Sequence, residues 1–183
     1  MAASTLGFAL LGLLARKSRN GYELSQALRR PIGYFWTASH SQVYPELARL
    51  EAARYITHTV IDGPGPRDTK RYDITAAGRR ALAAWAGSPA PPAPERDEFM
   101  LKVYSLWLVE PARARTLIVE QLARHEAQLA HYEQLERDMR GEHEALLSDP
   151  TTPQFSAYAT LRRGLSFERH ARDWCVWLAD ELR

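Results

Sequence analysis

Four leucines near the start of the chain recur at the spacing of one helical face, which predicts a first core helix over residues 5–16. They are Leu6, Leu10, Leu13 and Leu14. An Asn-Gly pair at residues 20–21 breaks the chain. A second helix is predicted over residues 22–30, because apolar positions again share one face until a Pro and a Gly stop the pattern.

A third helix is predicted over residues 41–54. On a helical wheel Val43, Leu47 and Leu50 fall together and are expected to face the core. The outward positions are Ser41, Gln42, Pro45, Ala48, Arg49 and Ala52, with Tyr44 at the edge. Pro45 lacks an N–H and is tolerated only near the first turn, so the helix should begin at Ser41 or Gln42.

Two strands follow, because residues 55–61 and 70–74 are rich in β-branched and aromatic side chains. The loop between them contains two Gly and two Pro and cannot continue a ladder. Thr75 is a good N-cap for a helix over residues 76–86. Four prolines within residues 87–95 then predict a stiff linker. We therefore expect a first domain over residues 1–87, a linker over 88–95 and a second domain over 96–183.

The second domain is predicted to be entirely helical. One helix is expected over residues 95–108, a long one from Pro111 to about Leu147, and a last one over residues 154–182. Along the long helix a 3.5-residue repeat predicts a coiled-coil seam between two copies of the chain. Its apolar members are Ile118, Leu122, Leu129, Tyr132, Met139 and Leu146, and its polar members are His125, Glu136 and His143. Such a helix is roughly 50 Å long, more than a small isolated domain usually needs.

A short helix followed by a basic hairpin is the layout of a winged helix-turn-helix, so the expected fold is mainly α with a two-stranded wing. The chain has 183 residues, 45% hydrophobic and 25% charged, as in ordinary globular proteins. Its net charge of +2 is uneven, because residues 1–87 carry 12 Lys and Arg against 6 Asp and Glu, while residues 88–183 carry 12 against 16. The basic half suits a polyanion, although small domains also drift by a few charges.

The third helix and the hairpin together predict contact with duplex DNA. A recognition helix reads bases with its N-terminal residues, and Gln and Arg side chains pair with adenine and guanine. The cations of the wing would reach phosphates or the minor groove. The candidate DNA-binding residues are Tyr22, Ser39, His40, Ser41, Gln42, Tyr44, Pro45, Arg49, Arg67, Lys70 and Arg71. Without the wing, the favoured interpretation would be an ordinary amphipathic helix with one face in solvent.

Three strings resemble the PadR family of bacterial transcriptional regulators: GYEL at residues 21–24, SQVYPELARLE at 41–51 and KRYDITAAGRRAL at 70–82. The match covers nearly all of the first domain, and the second is similar in layout to the larger PadR subgroup, with a helical C-terminal dimerisation domain. The resemblance implies a homodimeric repressor that binds a pseudo-palindromic operator. It also implies release by a small-molecule effector, for which phenolic acids are the best-known class.

One position departs from the family pattern. A glycine usually follows the Leu-Glu pair and ends the third helix in a left-handed turn, whereas the matching position here is Arg54. A side chain in that conformation costs roughly 1 kcal/mol. Either the helix ends differently in this chain, or the Arg54 side chain offsets the strain, and contact with a phosphate is our hypothesis for how it does so.

Five aromatic side chains of the second domain have two candidate roles. Phe99, Tyr104, Trp107, Trp174 and Trp177 could line an aromatic effector pocket between subunits. The alternative is that they pack in the core and at the dimer contact, which is the usual role of aromatics at helical spacing and the favoured interpretation.

Other classes of function are less well supported. The two His-Glu pairs, at 125–126 and 143–144, lack the second His of a zinc-protease helix, and we expect no enzyme activity, metal or cofactor. The single cysteine, Cys175, excludes an internal disulfide and fits the reducing cytoplasm. A nucleoid-type DNA binder should carry more Lys and a higher net charge, and a winged helix kept for protein partners should have lost the cations of its wing.

Overall fold

In a computed structural model of the chain, residues 3–29, 40–61, 69–90 and 97–183 are described, apart from the side chains of Arg29 and His40. The chain divides into two compact units, Met1–Pro92 and Ala93–Arg183. The first unit holds α1 (Thr5–Arg16), β1 (Arg19–Asn20), α2 (Gly21–Arg29), α3 (His40–Ala52), β2 (Ile56–Ile61), β3 (Thr69–Ile74) and α4 (Ala76–Ala86). The predicted order of helices and wing strands is confirmed.

The core of the first unit lies where α1 meets α2, α3 and the sheet. Leu10 and Leu11 of α1 and Leu24 of α2 are fully buried there. Val43, Leu47 and Leu50 are buried as the helical wheel of α3 predicts. Burial of each such side chain contributes about 1.5–3 kcal/mol, so the apolar stripes account for much of the stability of this unit.

The wing sheet has three strands rather than the predicted two. The strand order is β1-β3-β2, with both pairs antiparallel. The first strand consists of only Arg19 and Asn20, paired with Tyr72 and Arg71. Two residues are too few to show alternation, so this strand is recognisable only once its partner is placed.

The third helix begins at His40, one residue before the predicted range, and ends in a left-handed turn at Arg54, whose φ is 60°. The N–H of Tyr55 donates to the Leu50 carbonyl and the N–H of Arg54 to the Glu51 carbonyl, both at 2.9 Å. This pair of bonds forms a Schellman motif. The helix therefore ends as it does with glycine, and of the two alternatives for this position a different helix end is wrong.

Within its described part, residues 97–183, the second unit consists of helices joined by short turns and contains no strand. It holds α5 (Glu98–Tyr104), a 3-10 turn (Leu106–Leu108), α6 (Pro111–His143), a second 3-10 turn (Glu144–Ser148) and α7 (Pro153–Glu181). The segment predicted as one helix over residues 95–108 is interrupted at Ser105, where α5 ends. The long helix is confirmed, although its last predicted residues form a 3-10 turn.

The predicted seam of α6 faces α7 of the same chain. Ile118 is fully buried within the chain, and Leu129 and Tyr132 are 5% exposed. The ring of Tyr132 lies so close to Gly164 of α7 that a Cβ there would sit 2.9 Å from it.

Two polar members of the predicted seam, His125 and Glu136, also bind side chains of α7. His125 bonds to Glu168 at 2.6 Å, and the Tyr158 hydroxyl donates to Glu136 at 3.0 Å. Ile118, Leu129 and Tyr132 are thus buried within the chain, and Leu122 packs on the core that Ile118 forms there. The assignment of the six apolar members to a seam between two copies stays a prediction.

Candidate DNA-binding surface

The start of α2 is fixed against the middle of α3. Asn20 and Glu23 form a capping box, in which the Glu23 N–H donates to the Asn20 side chain at 2.8 Å and the Asn20 N–H to the Glu23 carboxylate at 2.9 Å. A Cβ at Gly21 would sit 2.6 Å from the ring of Tyr44, so only glycine lets α3 approach this closely. Tyr44 therefore joins the two helices while about half of its surface stays exposed. Tyr22 is exposed one residue further along α2.

The outward face of α3 matches the prediction from the wheel. Ser41, Gln42, Pro45, Ala48, Arg49 and Ala52 are all exposed. Four of them line an open concavity of about 520 Å³ between α3 and the start of α1. Its walls are Ser4, Thr5, Leu6, Ser41, Gln42, Pro45, Glu46 and Arg49. A polar face with few bulky side chains is suited to the major groove of DNA, whose width admits a helix.

Arg49 is held by a carboxylate that the sequence prediction missed. Its Nη1 donates to Oε2 of Glu46 at 2.8 Å, and Ser4 Oγ donates to Oε1 of the same carboxylate at 2.7 Å. Glu46 is almost fully buried. The Glu-x-x-Arg spacing places both side chains on one side of a helix, so the pair could have been found in the sequence, but not the burial of its carboxylate.

The two described cations of the wing differ in exposure and in hydrogen bonding. Lys70 is exposed on β3 opposite Val60 of β2. Arg71 is half-buried and donates to the Ser18 carbonyl at 3.1 Å, so it links the sheet to the segment after α1. Lys70 is therefore the freer of the two to approach a phosphate.

The other end of α3 is joined to the sheet by a polar contact. His58 of β2 pairs through Nδ1 with the Glu51 carboxylate, and its ring lies 5.9 Å from that of Tyr72 on β3. Burial, with Glu51 and Tyr44 nearby, raises the pKa of Tyr72. Contacts at both ends thus fix the orientation of α3 relative to the wing.

Three candidate residues cannot be placed. Ser39 and Arg67 lie outside the described residues, and His40 is described only as the first residue of α3. No group of His, Cys, Asp and Glu suited to a metal ion occurs within the described ranges. None of the helices in those ranges combines the length and apolar character that spanning a bilayer requires.

The aromatic candidates of the second unit fall into two groups. Phe99 and Trp174 pack edge to face, with ring centroids 6.2 Å apart, in the core formed with Ile118. Tyr104, Trp107 and Trp177 are exposed, the first two by 85% and 80%. The structure therefore does not bring all five together. A cavity of about 180 Å³ is lined by Phe99, Lys102, Val103, Leu106, Leu117, Ile118, Glu120, Gln121 and Arg124.

Two family descriptions match the chain. One described as "Transcriptional regulator PadR-like family" covers residues 10–84, and one described as "Virulence activator alpha C-term" covers residues 95–183. The negative transcriptional regulator PadR of Bacillus subtilis is 32% identical over 176 residues, which is 92% of each chain.

Two crystal structures of Bacillus subtilis PadR are similar to this chain over nearly its whole length. The structure in complex with operator DNA has a TM-score of 0.82 at 30% identity, covering 98% of this chain and 100% of the other. The structure in complex with p-coumaric acid has a TM-score of 0.74 at 30% identity, covering 98% and 99%.

Proposed function

Because the chain belongs to the PadR-like family of transcriptional regulators, we propose that it is a homodimeric repressor that binds a pseudo-palindromic operator and is released by a small-molecule effector. Members of this family regulate transcription and are not enzymes. Since its target is the bacterial chromosome, we place the protein in the cytoplasm.

The observation that carries the proposal is that α3 has one buried apolar face and one exposed polar face. One face is closed by Val43, Leu47 and Leu50, each only 1% exposed, while the other presents short polar side chains and Arg49. We propose that Ser41 and Gln42 contact base edges and that Tyr22 and Lys70 contact phosphates on either side. The concavity beside α3 supports this, because it leaves the N-terminal half of the helix accessible to a large ligand.

Repression rather than activation is proposed from the relative that is named a negative regulator. A small aromatic acid is proposed as effector because the same relative has been crystallised with p-coumaric acid. In this chain we assign the effector to the cavity beside Phe99, since that cavity combines an aromatic ring with the cations Lys102 and Arg124. An aromatic acid needs both a stacking partner and a positive charge for its carboxylate.

A second surface is available for the dimer contact. In α5 and the turn after it, Leu101, Tyr104, Trp107 and Leu108 are each about 70% exposed or more. Large apolar side chains this exposed within eight residues are typical of protein interfaces. We propose that this α5 patch, made of those four residues, is covered by a second copy of the chain.

Capture of genomic fragments from the source bacterium by the purified protein, followed by a reporter carrying the captured site, tests this function. We expect the protein to lower reporter expression and a small aromatic acid to restore it. In vitro, the acid should raise the Kd for the captured site, and Phe99→Ala should remove this response while leaving the Kd without effector unchanged. A reporter that the protein activates would contradict repression. If the acid raises the Kd of Phe99→Ala as much as that of the wild type, the effector does not bind in this cavity.

A further inference from the structure

The carboxylate of Glu46 is buried inside the DNA-binding unit. Its side chain is 3% exposed, whereas that of its partner Arg49 is 73% exposed. Burying a carboxylate is unfavourable unless it is paired and hydrogen-bonded, and an apolar side chain of similar volume is often equally stable in such a place. Stability alone therefore gives no reason for Glu at this position.

The surroundings of Glu46 are shaped to hold its carboxylate. Ser4 donates to one oxygen at 2.7 Å and also accepts the Gly7 N–H at 3.0 Å as the N-cap of α1. A Cβ at Gly7 would sit 2.5 Å from Glu46 Oε1, so the absence of a side chain there makes room for the carboxylate. The carboxylate is thus the fixed end of the contact with Arg49, and the guanidinium is the exposed end.

From this geometry we infer that Glu46 is a positioning residue, which holds the Arg49 guanidinium in one orientation for sequence-specific recognition of DNA. The inference rests on the proposed function, in which α3 enters the major groove. A guanidinium has five N–H donors in a rigid planar arrangement, and the bond to Glu46 engages one of the two Nη groups. Its remaining edge can then present two parallel donors to a guanine or a phosphate without first losing rotational freedom.

The negative charge of Glu46 distinguishes a role in positioning Arg49 from a direct contribution to the affinity for DNA. A carboxylate so close to the DNA repels phosphates, so Glu46 lowers the affinity for duplex DNA of any sequence. Its benefit to DNA recognition comes through the orientation of Arg49. Removal of its charge should therefore strengthen non-specific binding while it weakens discrimination, which loss of a merely structural residue would not do.

The test is the ratio of the Kd for random duplex to the Kd for the selected operator, measured for Glu46→Gln in the full chain. We expect this ratio to fall about tenfold, within the range that one bidentate base contact provides. Glu126→Gln is the control, because it removes the same charge from an exposed position of α6, in the unit that does not contain α3. Its ratio should equal that of the wild type.

A double-mutant cycle shows whether Glu46 acts through Arg49. In an Arg49→Ala background, Glu46→Gln should change the ratio no further. Glu46→Met provides the same comparison with a side chain suited to burial, should the amide of Gln prevent folding, and melting curves verify that each variant is folded.

An unchanged ratio in Glu46→Gln, or an equal fall in the presence and absence of Arg49, would overturn the inference. Should Arg49→Ala itself keep the wild-type ratio, Arg49 would not be a specificity contact, and the positioning role would fail with it. If the proposed function itself is wrong, the wild type will show no preference for any sequence, which distinguishes that outcome from failure of the positioning role.

Discussion

At the scale of single residues, Arg54 shows how a strained conformation is retained. Its φ of 60° is the left-handed region, which costs a non-glycine residue roughly 1 kcal/mol. Thr75 donates to the Arg54 carbonyl at 2.8 Å and also caps α4 by accepting the Gly78 N–H. The turn is therefore held from both sides, by the end of α3 and by the start of α4.

Arg54→Gly should raise the free energy of unfolding by about 1 kcal/mol, because glycine adopts the left-handed conformation without steric cost. Chemical denaturation measures this. The same variant tests whether Arg54 contacts a phosphate, since loss of one such contact lowers the slope of log K against log salt by about 0.9. A more stable variant with an unchanged slope would show that Arg54 makes no phosphate contact.

Glu136 makes the second unit sensitive to acid. Burial works to raise the pKa of Glu136, but the hydrogen bond from Tyr158 and the charges of Arg140 and Arg162 outweigh it and hold the pKa below its ordinary value of 4.5. A carboxyl whose pKa is lowered by folding stabilises the fold above its unfolded pKa, and this stabilisation is lost as the pH falls through the folded pKa.

We therefore expect the melting temperature of the isolated protein to fall below about pH 4.5 more steeply in the wild type than in Glu136→Gln. Glutamine keeps an acceptor for Tyr158 but does not titrate. Glu126→Gln, at an exposed position of the same helix, is the control and should follow the wild type. Parallel curves for wild type and Glu136→Gln would contradict the role of this carboxyl.

At the scale of helices and strands, α6 and α7 form one packed pair. This contact predicts that alanine substitutions at two glycines change the stability in opposite directions. Gly164→Ala should destabilise the chain by about 1–3 kcal/mol, because the new methyl group meets the ring of Tyr132 in a packed interface. Gly141→Ala has open space around it and should stabilise α6 by up to about 1 kcal/mol.

Unfolding in urea measures both changes. Equal effects of the two substitutions, in either direction, would show that Tyr132 does not pack on α7 as described. Loss of the dimer in Gly164→Ala without loss of stability would instead support the predicted seam between two copies.

Helical periodicity shows which face of a helix is buried but not what covers it. Part of the predicted apolar face of α6 is buried against α7 of the same chain, since one apolar stripe fits a neighbouring helix as well as a second chain. For α3 the same reasoning gives the buried face correctly, because Val43, Leu47 and Leu50 lie on it, while its DNA contacts stay a prediction.

Features that depend on tertiary contacts were missed for a physical reason. The strand β1 is too short to carry a pattern, and a glutamate such as Glu46 within a helix is ordinarily interpreted as solvent-facing. Ser4 precedes an apolar run and is recognisable as an N-cap, but its bond to a carboxylate 42 positions away is not a local property.

At the scale of the whole molecule, dimerisation is expected to double the DNA contact, because a single winged helix buries little surface. Trp107→Asp should convert the dimer to a monomer, since it introduces a charge into the exposed α5 patch. Analytical ultracentrifugation without DNA measures this. Val60→Asp, at an exposed apolar side chain of the wing, is the control and should remain dimeric.

A monomer should also bind the operator far more weakly than the dimer, while its affinity for one half-site stays the same. If Trp107→Asp remains a dimer at every concentration, the second copy does not cover the α5 patch, and Met139 and Leu146 become the next candidates for the contact.

The most direct measurement is selection of bound sequences from random duplex DNA, with the wild type and Gln42→Ala side by side. We expect the wild type to enrich an inverted repeat whose half-sites lie about one helical turn, or a multiple of it, apart. Gln42→Ala should enrich the same repeat but lose its preference at one matching position in each half-site. An enriched sequence without two-fold symmetry, or one that Gln42→Ala leaves unchanged, would contradict a dimer that reads DNA with the outward face of α3.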